Sequence, residues 1–166
     1  MALLTKPTTK RLPCLLPCLP SDHPTYRILV VDDHPVNRTL MMRLLQRSGF
    51  AVGQAVDGAD AFTLWEQWQP QLIFMDLLMP EMDGREATRL IRTAETVNHQ
   101  PPTKIIALTA HPAIAKAHQA ETGVFDDITT KPIRPYSIFE LIAKHLDLQY
   151  VYSSFNSLDT FSVESH

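Results

Sequence analysis

Five residues stand where apolar runs of the chain give out. Asp32 and Asp33 follow Ile28-Leu29-Val30-Val31, Asp76 follows Leu72-Ile73-Phe74-Met75, Thr109 follows Ile105-Ile106-Ala107-Leu108, and Lys131 follows Ile128-Thr129-Thr130. Brought together, they make a site of three carboxylates, one hydroxyl and one ammonium group. Two like unit charges about 4 Å apart repel by roughly 4 kcal/mol at an effective dielectric near 20. A hard divalent cation removes that cost. Magnesium suits a few carboxylate oxygens with several retained waters, whereas zinc calls for His or Cys ligands that this set lacks. A metal, a nucleophilic carboxylate, a hydroxyl donor and an ammonium are the parts of phosphoryl transfer, where positioning and charge stabilisation supply most of the catalysis.

The elements that must position these residues alternate between two patterns. Runs that are apolar at every position signal strands buried on both faces, hence a parallel sheet covered by helices. The spacing predicts strands at 28–31, 51–56 (weaker), 72–76, 105–108 and 123–128. Between them lie amphipathic segments. Pro35 opens a helix with Val36, Leu40 and Leu44 recurring at four-residue spacing until Ser48-Gly49. Asp57-Gly58 turns into a second, with Ala61, Leu64, Trp65 and Trp68 sharing a face for packing against the sheet. Beyond the Pro80-x-x-x-Gly84 turn a third carries Ala87, Leu90, Ile91 and Ala94. An Ala-rich helix follows from about Pro112 to Glu121, and the last, near Tyr136 to Leu146, aligns Ile138, Leu141, Ile142 and His145. This alternation indicates an α/β, doubly wound, five-stranded parallel sheet. Ligands of such sheets bind outside the carboxyl ends of the strands. The five polar residues then lie along one edge.

At 166 residues the chain fits one domain with tails: a leader over 1–25, a domain over 26–147 and a flexible tail over 148–166. The leader is rich in Pro and Thr and reads as a linker. Its prolines at 13, 17 and 20 spoil the helical core of a secretory signal. Cys14 and Cys18 have neither redox-pair nor zinc-site spacing and read as two free thiols. An apolar fraction of 45%, a charged fraction of 20% and a net charge of -3 fit a soluble protein and give no reason to expect nucleic acid or an anionic membrane as partner. No apolar run approaches the ~20 residues of a membrane span. The expected location is cytoplasmic.

The motifs Val30-Val31-Asp32-Asp33, Met75-Asp76 with Met79-Pro80 and Asp83-Gly84, Leu108-Thr109-Ala110 and Thr130-Lys131-Pro132, in that order over about Tyr26 to Leu146, resemble the response-regulator receiver family of two-component signalling. Asp32-Asp33-His34-Pro35-Val36-Asn37-Arg38 and Leu108-Thr109-Ala110-His111 are similar to receivers of hybrid sensor histidine kinases. The resemblance implies a flavodoxin-like fold with strand order 2-1-3-4-5 and a phosphoryl group accepted by Asp76 from a phosphohistidine. It implies Mg2+ bound directly by Asp33, partly through water by Asp32, by Asp76 and by the Leu78 carbonyl. Lys131 and Thr109 would contact phosphoryl oxygens, assisted by the Ala110 amide, and the Lys131-Pro132 bond would be cis. The partners implied are a sensor histidine kinase or its phosphohistidine domain and a downstream histidine phosphotransfer protein. The chain would catalyse only the phosphorylation and dephosphorylation of its own Asp76. One position departs from the family: the switch aromatic, three residues before the lysine, is Ile128. Leu78 and His111 flank the site, and an apolar Leu78 is expected to hinder an attacking water.

Plainer readings stand beside these. Asp32 and Asp33 would serve as helix-capping acids, Thr109 as a strand-end residue, Lys131 as a surface lysine, and Asp83-Gly84 as a turn and cap. His34 and His111 read as loop residues at the rim. A receiver-like docking module that is never phosphorylated is one alternative. A phosphatase of the haloacid dehalogenase type is another, but it wants a second Asp where Leu78 stands.

Overall fold

The computed structural model describes residues 16–20, 23–113 and 123–153. Seven strands and four helices are described: β1 (Leu16–Cys18), β2 (Arg27–Val31), α1 (Pro35–Arg47), β3 (Ala51–Ala55), α2 (Gly58–Trp68), β4 (Leu72–Asp76), α3 (Gly84–Val97), β5 (Lys104–Thr109), β6 (Asp127–Thr130), α4 (Pro135–Leu146) and β7 (Val151–Ser153). Five strands form one parallel sheet in the order β3-β2-β4-β5-β6. Counting only those five, the order is the expected 2-1-3-4-5. Pro112 and Ala113 are helical, and the rest of the helix expected to Glu121 lies outside the described residues.

Strand side chains alternate between faces, so each apolar run feeds two cores. Ile28, Val30, Leu72, Phe74, Ile106 and Leu108 pack with Met41 and Leu45 of α1 and with Ile138, Phe139 and Ile142 of α4. Leu29, Val31, Ile73, Met75 and Ile105 pack on the opposite face with Ala61 and Trp65 of α2 and with Ala87 and Ile91 of α3. Each large apolar side chain so enclosed contributes about 1.5–3 kcal/mol over its exposed state. Burial at every position of β4 accounts for its unbroken apolar run.

Two predicted elements differ. The α1 stripe is turned: Val36 is 65% and Leu40 70% exposed, while Met41 and Leu45 are buried. In this orientation Pro35 opens the helix and Arg38 Nη1 donates to the Asp32 carbonyl at 2.7 Å. The last sheet strand starts later than 123, at Asp127. The Asp126 amide already donates to the Ile105 carbonyl at 2.9 Å, but its carboxylate takes the Ile105 amide, also at 2.9 Å, and two cations, so the regular register starts with Asp127 opposite Ile106.

Within the leader and tail, the described residues 16–20 and 148–153 pack on the domain. β1 and β7 pair antiparallel, Cys18 opposite Val151. Leu19 packs on the first core, and its amide donates to the Ser48 carbonyl at 3.0 Å. Leu148 is buried, and the Tyr150 hydroxyl donates to the Phe139 carbonyl at 3.2 Å. Isolated apolar residues spaced along polar segments hide this kind of pairing from periodicity.

Candidate functional site

The site is built at the carboxyl ends of β2, β4, β5 and β6. β4 carries Asp76 to the edge of the sheet, where the residue is 5% exposed. The turn behind it passes close to its backbone: a Cβ on Gly84 would collide with the Asp76 carbonyl oxygen, so only glycine fits there. Asp83 then caps α3, accepting the Glu86 amide at 2.8 Å, which bears out its reading as a turn and cap.

β2 delivers Asp32, 3% exposed, and Asp33, which is exposed. Asp32 is held on several sides. Its Oδ1 accepts the His34 amide at 2.9 Å, and the Asn37 side-chain amide lies 3.4 Å from both carboxylate oxygens. Carboxylate oxygens of Asp32, Asp33 and Asp76, one from each, all lie within 4.8 Å of one another.

Lys131 joins two of them. Its Nζ donates to Asp32 Oδ2 at 2.7 Å and to Asp76 Oδ2 at 2.6 Å. The lysine comes from the end of β6, where its amide donates to the Thr109 carbonyl at 2.7 Å and the Lys131-Pro132 bond is cis. One ammonium among three carboxylates leaves the site negative. Burial pushes the Asp76 carboxyl above the usual carboxylate range; the Lys131 hydrogen bond and charge and the Leu78 amide oppose this without cancelling it, and the Asp32 charge adds to it. Burial alone would lower Lys131, but its bonds to Asp32 and Asp76 hold the ammonium above its ordinary value.

Thr109, fully buried at the end of β5, accepts the His111 amide on Oγ1 at 3.1 Å. Ala110 and His111 are exposed beyond it. The Leu78 amide donates to Asp76 Oδ1 at 3.2 Å, while its side chain is 54% exposed. Ile128 is half-buried on β6 opposite Ala107 and lines a shallow cavity of about 560 Å³ with Ser137, Leu141 and Lys144 of α4. It therefore stands apart from the acidic cluster. A second cavity of about 450 Å³ starts at Asp32, Asn37 and Lys131 and runs between α1 and α4 over Leu40, Met41, Leu44 and Ile138.

The donor set fits magnesium. It is all oxygen and carries surplus negative charge, and the exposed Asp33 can turn toward an ion while Asp32 and Asp76 stay fixed. Asn37 and Arg38 are the neighbours that the apolar runs did not reveal. Their signal was their place in the first turns of the helix that follows Asp32-Asp33.

Residues 28–143 match the response regulator receiver domain family. The sensor histidine kinase GacS of Pseudomonas protegens is 41% identical over 121 residues, covering 71% of this chain and 13% of that protein. The hybrid signal transduction histidine kinase F of Dictyostelium discoideum is 33% identical over 124 residues, 74% of this chain and 11% of that protein. The chain thus spans a small part of the curated kinases it matches. Among solved structures, the receiver domain of the Saccharomyces cerevisiae response regulator Ssk1, crystallised with the histidine phosphotransfer protein Ypd1, superposes with a TM-score of 0.69 at 28% identity, covering 77% of this chain and 93% of that one. The receiver domain of the sensor histidine kinase PA1611 from Pseudomonas aeruginosa, with magnesium in its active-site cleft, gives a TM-score of 0.65 at 29% identity, covering 75% and 100%.

Proposed function

The chain belongs to the response regulator receiver family of two-component signalling, and we propose that Asp76 accepts a phosphoryl group from a phosphohistidine of a partner protein. The observation that carries this is Asp76 itself: a buried carboxylate beside two other acids, with half-shared Lys131 as its only ion-pair partner among the described residues. An Asp76 oxygen attacks phosphorus, the phosphorus–nitrogen bond breaks, and the imidazole leaves with the bonding pair and takes up a proton. Lys131, already 2.6 Å from Asp76, follows the charge onto the phosphoryl oxygens. The Thr109 hydroxyl and the Ala110 amide meet those oxygens from the end of β5.

Asp33, Asp32, Asp76 and the Leu78 carbonyl would hold magnesium, which when bound would neutralise charge on the transferring group. Hydrolysis of the acyl phosphate by water returns the Asp76 carboxylate, so the chain acts catalytically only on itself. The partners are a sensor histidine kinase, or its phosphohistidine domain, and a downstream histidine phosphotransfer protein; the crystallised Ssk1–Ypd1 pair, in which Ssk1 is the downstream member, supports contact with a protein of the latter class but not its place in the relay. Phosphorylation shifts an existing equilibrium of the surface around β6 and α4, with Ile128 at the switch position.

The test is incubation with acetyl phosphate and magnesium, followed by intact mass. One phosphoryl adduct is expected, lost in Asp76→Asn and on chelation of the metal. An adduct that persists in both contradicts the assignment.

A further inference from the structure

At the point where β2 leaves the sheet, the Asp32 amide still donates to the Ala55 carbonyl of β3, at 3.3 Å. The carbonyls of Asp32 and Asp33 point instead to Arg38, whose Nη1 donates to them at 2.7 and 3.5 Å. The same guanidinium donates through Nε to Gln54 Oε1 of β3 at 3.2 Å. Arg38 is half-buried, five to six residues past the acids it reaches, and forms no ion pair among the described residues although three carboxylates cluster nearby. A planar fork can grip two acceptors at once in a fixed geometry. Here it grips peptide oxygens and leaves the Asp33 carboxylate unengaged.

We propose that Arg38 is a positioning residue for the divalent cation: anchored on Gln54, it clamps the peptide carrying Asp32 and Asp33 and presets the Asp33 carboxylate to receive the ion. An arginine paired with Asp33 itself would compete with the cation for the same oxygens. Gripping the carbonyls orders the loop without that competition, in the way outer-shell partners orient metal ligands. Asp32 is held independently by the His34 amide, Asn37 and Lys131, so the effect falls on Asp33. This rests on the magnesium reading given above.

The experiment is titration of wild type, Arg38→Ala, Arg38→Lys, Gln54→Leu and Asp33→Asn with magnesium chloride. It follows backbone amide resonances of the β2–α1 loop, with thermal unfolding of the metal-free proteins alongside. Arg38→Ala is expected to weaken magnesium binding on the order of 10-fold. Arg38→Lys restores part of it, because an ammonium reaches one carbonyl without the grip on Gln54, and Gln54→Leu gives a smaller loss in the same direction. A purely structural Arg38 would lower the metal-free midpoint and leave the magnesium affinity unchanged, which overturns the proposal. If Arg38→Ala does not fold, wild-type affinity in both Arg38→Lys and Gln54→Leu overturns it. Wild type and Asp33→Asn failing alike to bind magnesium defeats the metal reading itself, and this inference with it.

Discussion

Two aspartates at opposite ends of the same sheet, Asp76 buried and Asp126 half-buried, are treated in opposite ways. Asp126 lies at the amino end of β5 and β6, where its carboxylate accepts the Ile105 amide at 2.9 Å, Arg92 at 2.7 Å and Lys104 at 3.0 Å. Burial opposes its charge, but the amide and the two cations more than offset this and hold the carboxyl below its usual range. Asp76, at the carboxyl end of β4, receives one lysine shared with Asp32 and one amide, and its carboxyl is pushed up. A carboxylate whose task is cohesion is surrounded by donors. Asp76, which on the reading proposed above reacts, is left short of positive charge, and an incoming divalent cation would supply it.

Removing the compensation at the amino end should have the largest effect on stability. Arg92 also donates to Glu95 at 2.8 Å and to the Thr103 and Val124 carbonyls. Arg92→Ala is expected to cost about 3 kcal/mol in urea unfolding, because it takes the shared cation from two acids and a donor from two carbonyls, while phosphoryl labelling of Asp76 persists. The same experiment on Asp76→Asn should show the reverse: labelling is lost and stability is retained or raised by about 1 kcal/mol, since a poorly compensated buried charge disappears. A loss of stability in Asp76→Asn as large as in Arg92→Ala would erase the contrast.

Acid sharpens it further. Asp126 and Asp127 both have carboxyls lowered from 3.8, with Asp127 held by Lys144 and His145 against its burial. A carboxyl lowered by folding releases its proton more readily in the native state. Its contribution is complete above the unfolded value, near pH 4, and is lost as the pH falls through the folded value. Unfolding followed from pH 6 to pH 2 should therefore show a steep acid limb that becomes shallower in Asp126→Asn. The smallest effect belongs to Lys144→Ala: its side chain is 66% exposed, so loss of its pairing with Asp127 should cost only about 0.5 kcal/mol.

Much of this was legible in the chain because the buried sheet writes itself as unbroken apolar runs, and the polar residue ending each run is the site. Asp32, Asp76 and Thr109 were found that way, Lys131 after the shorter, polar Ile128-Thr129-Thr130, and the sheet order agrees with the resemblance they carry. Rotation of α1 was not legible. Val36-x3-Leu40-x3-Leu44 and Met41-x3-Leu45 are both apolar rows at helical spacing, and which of them faces the sheet is decided by tertiary contacts that spacing does not record. The late start of β6 was hidden because Val124 and Phe125 are apolar yet precede the paired residues: Phe125 packs on the second core from a loop, and Asp126 satisfies a backbone amide with its side chain. The β1–β7 pair joins segments more than a hundred residues apart, and short strands of mixed polarity carry no period that a local window can detect. Arg38 escaped for a different reason, since its partners are carbonyl oxygens, which every residue has.

The most direct test of Asp76 as the uncompensated, reactive carboxylate is to trap the acyl phosphate. After labelling with acetyl phosphate and magnesium, borohydride reduction converts a phosphorylated aspartate to homoserine, which peptide mass spectrometry locates. The expected result is homoserine at position 76 alone, absent without magnesium. Conversion at Asp32, Asp33 or Asp126 with Asp76 untouched would contradict the contrast between the two ends of the sheet.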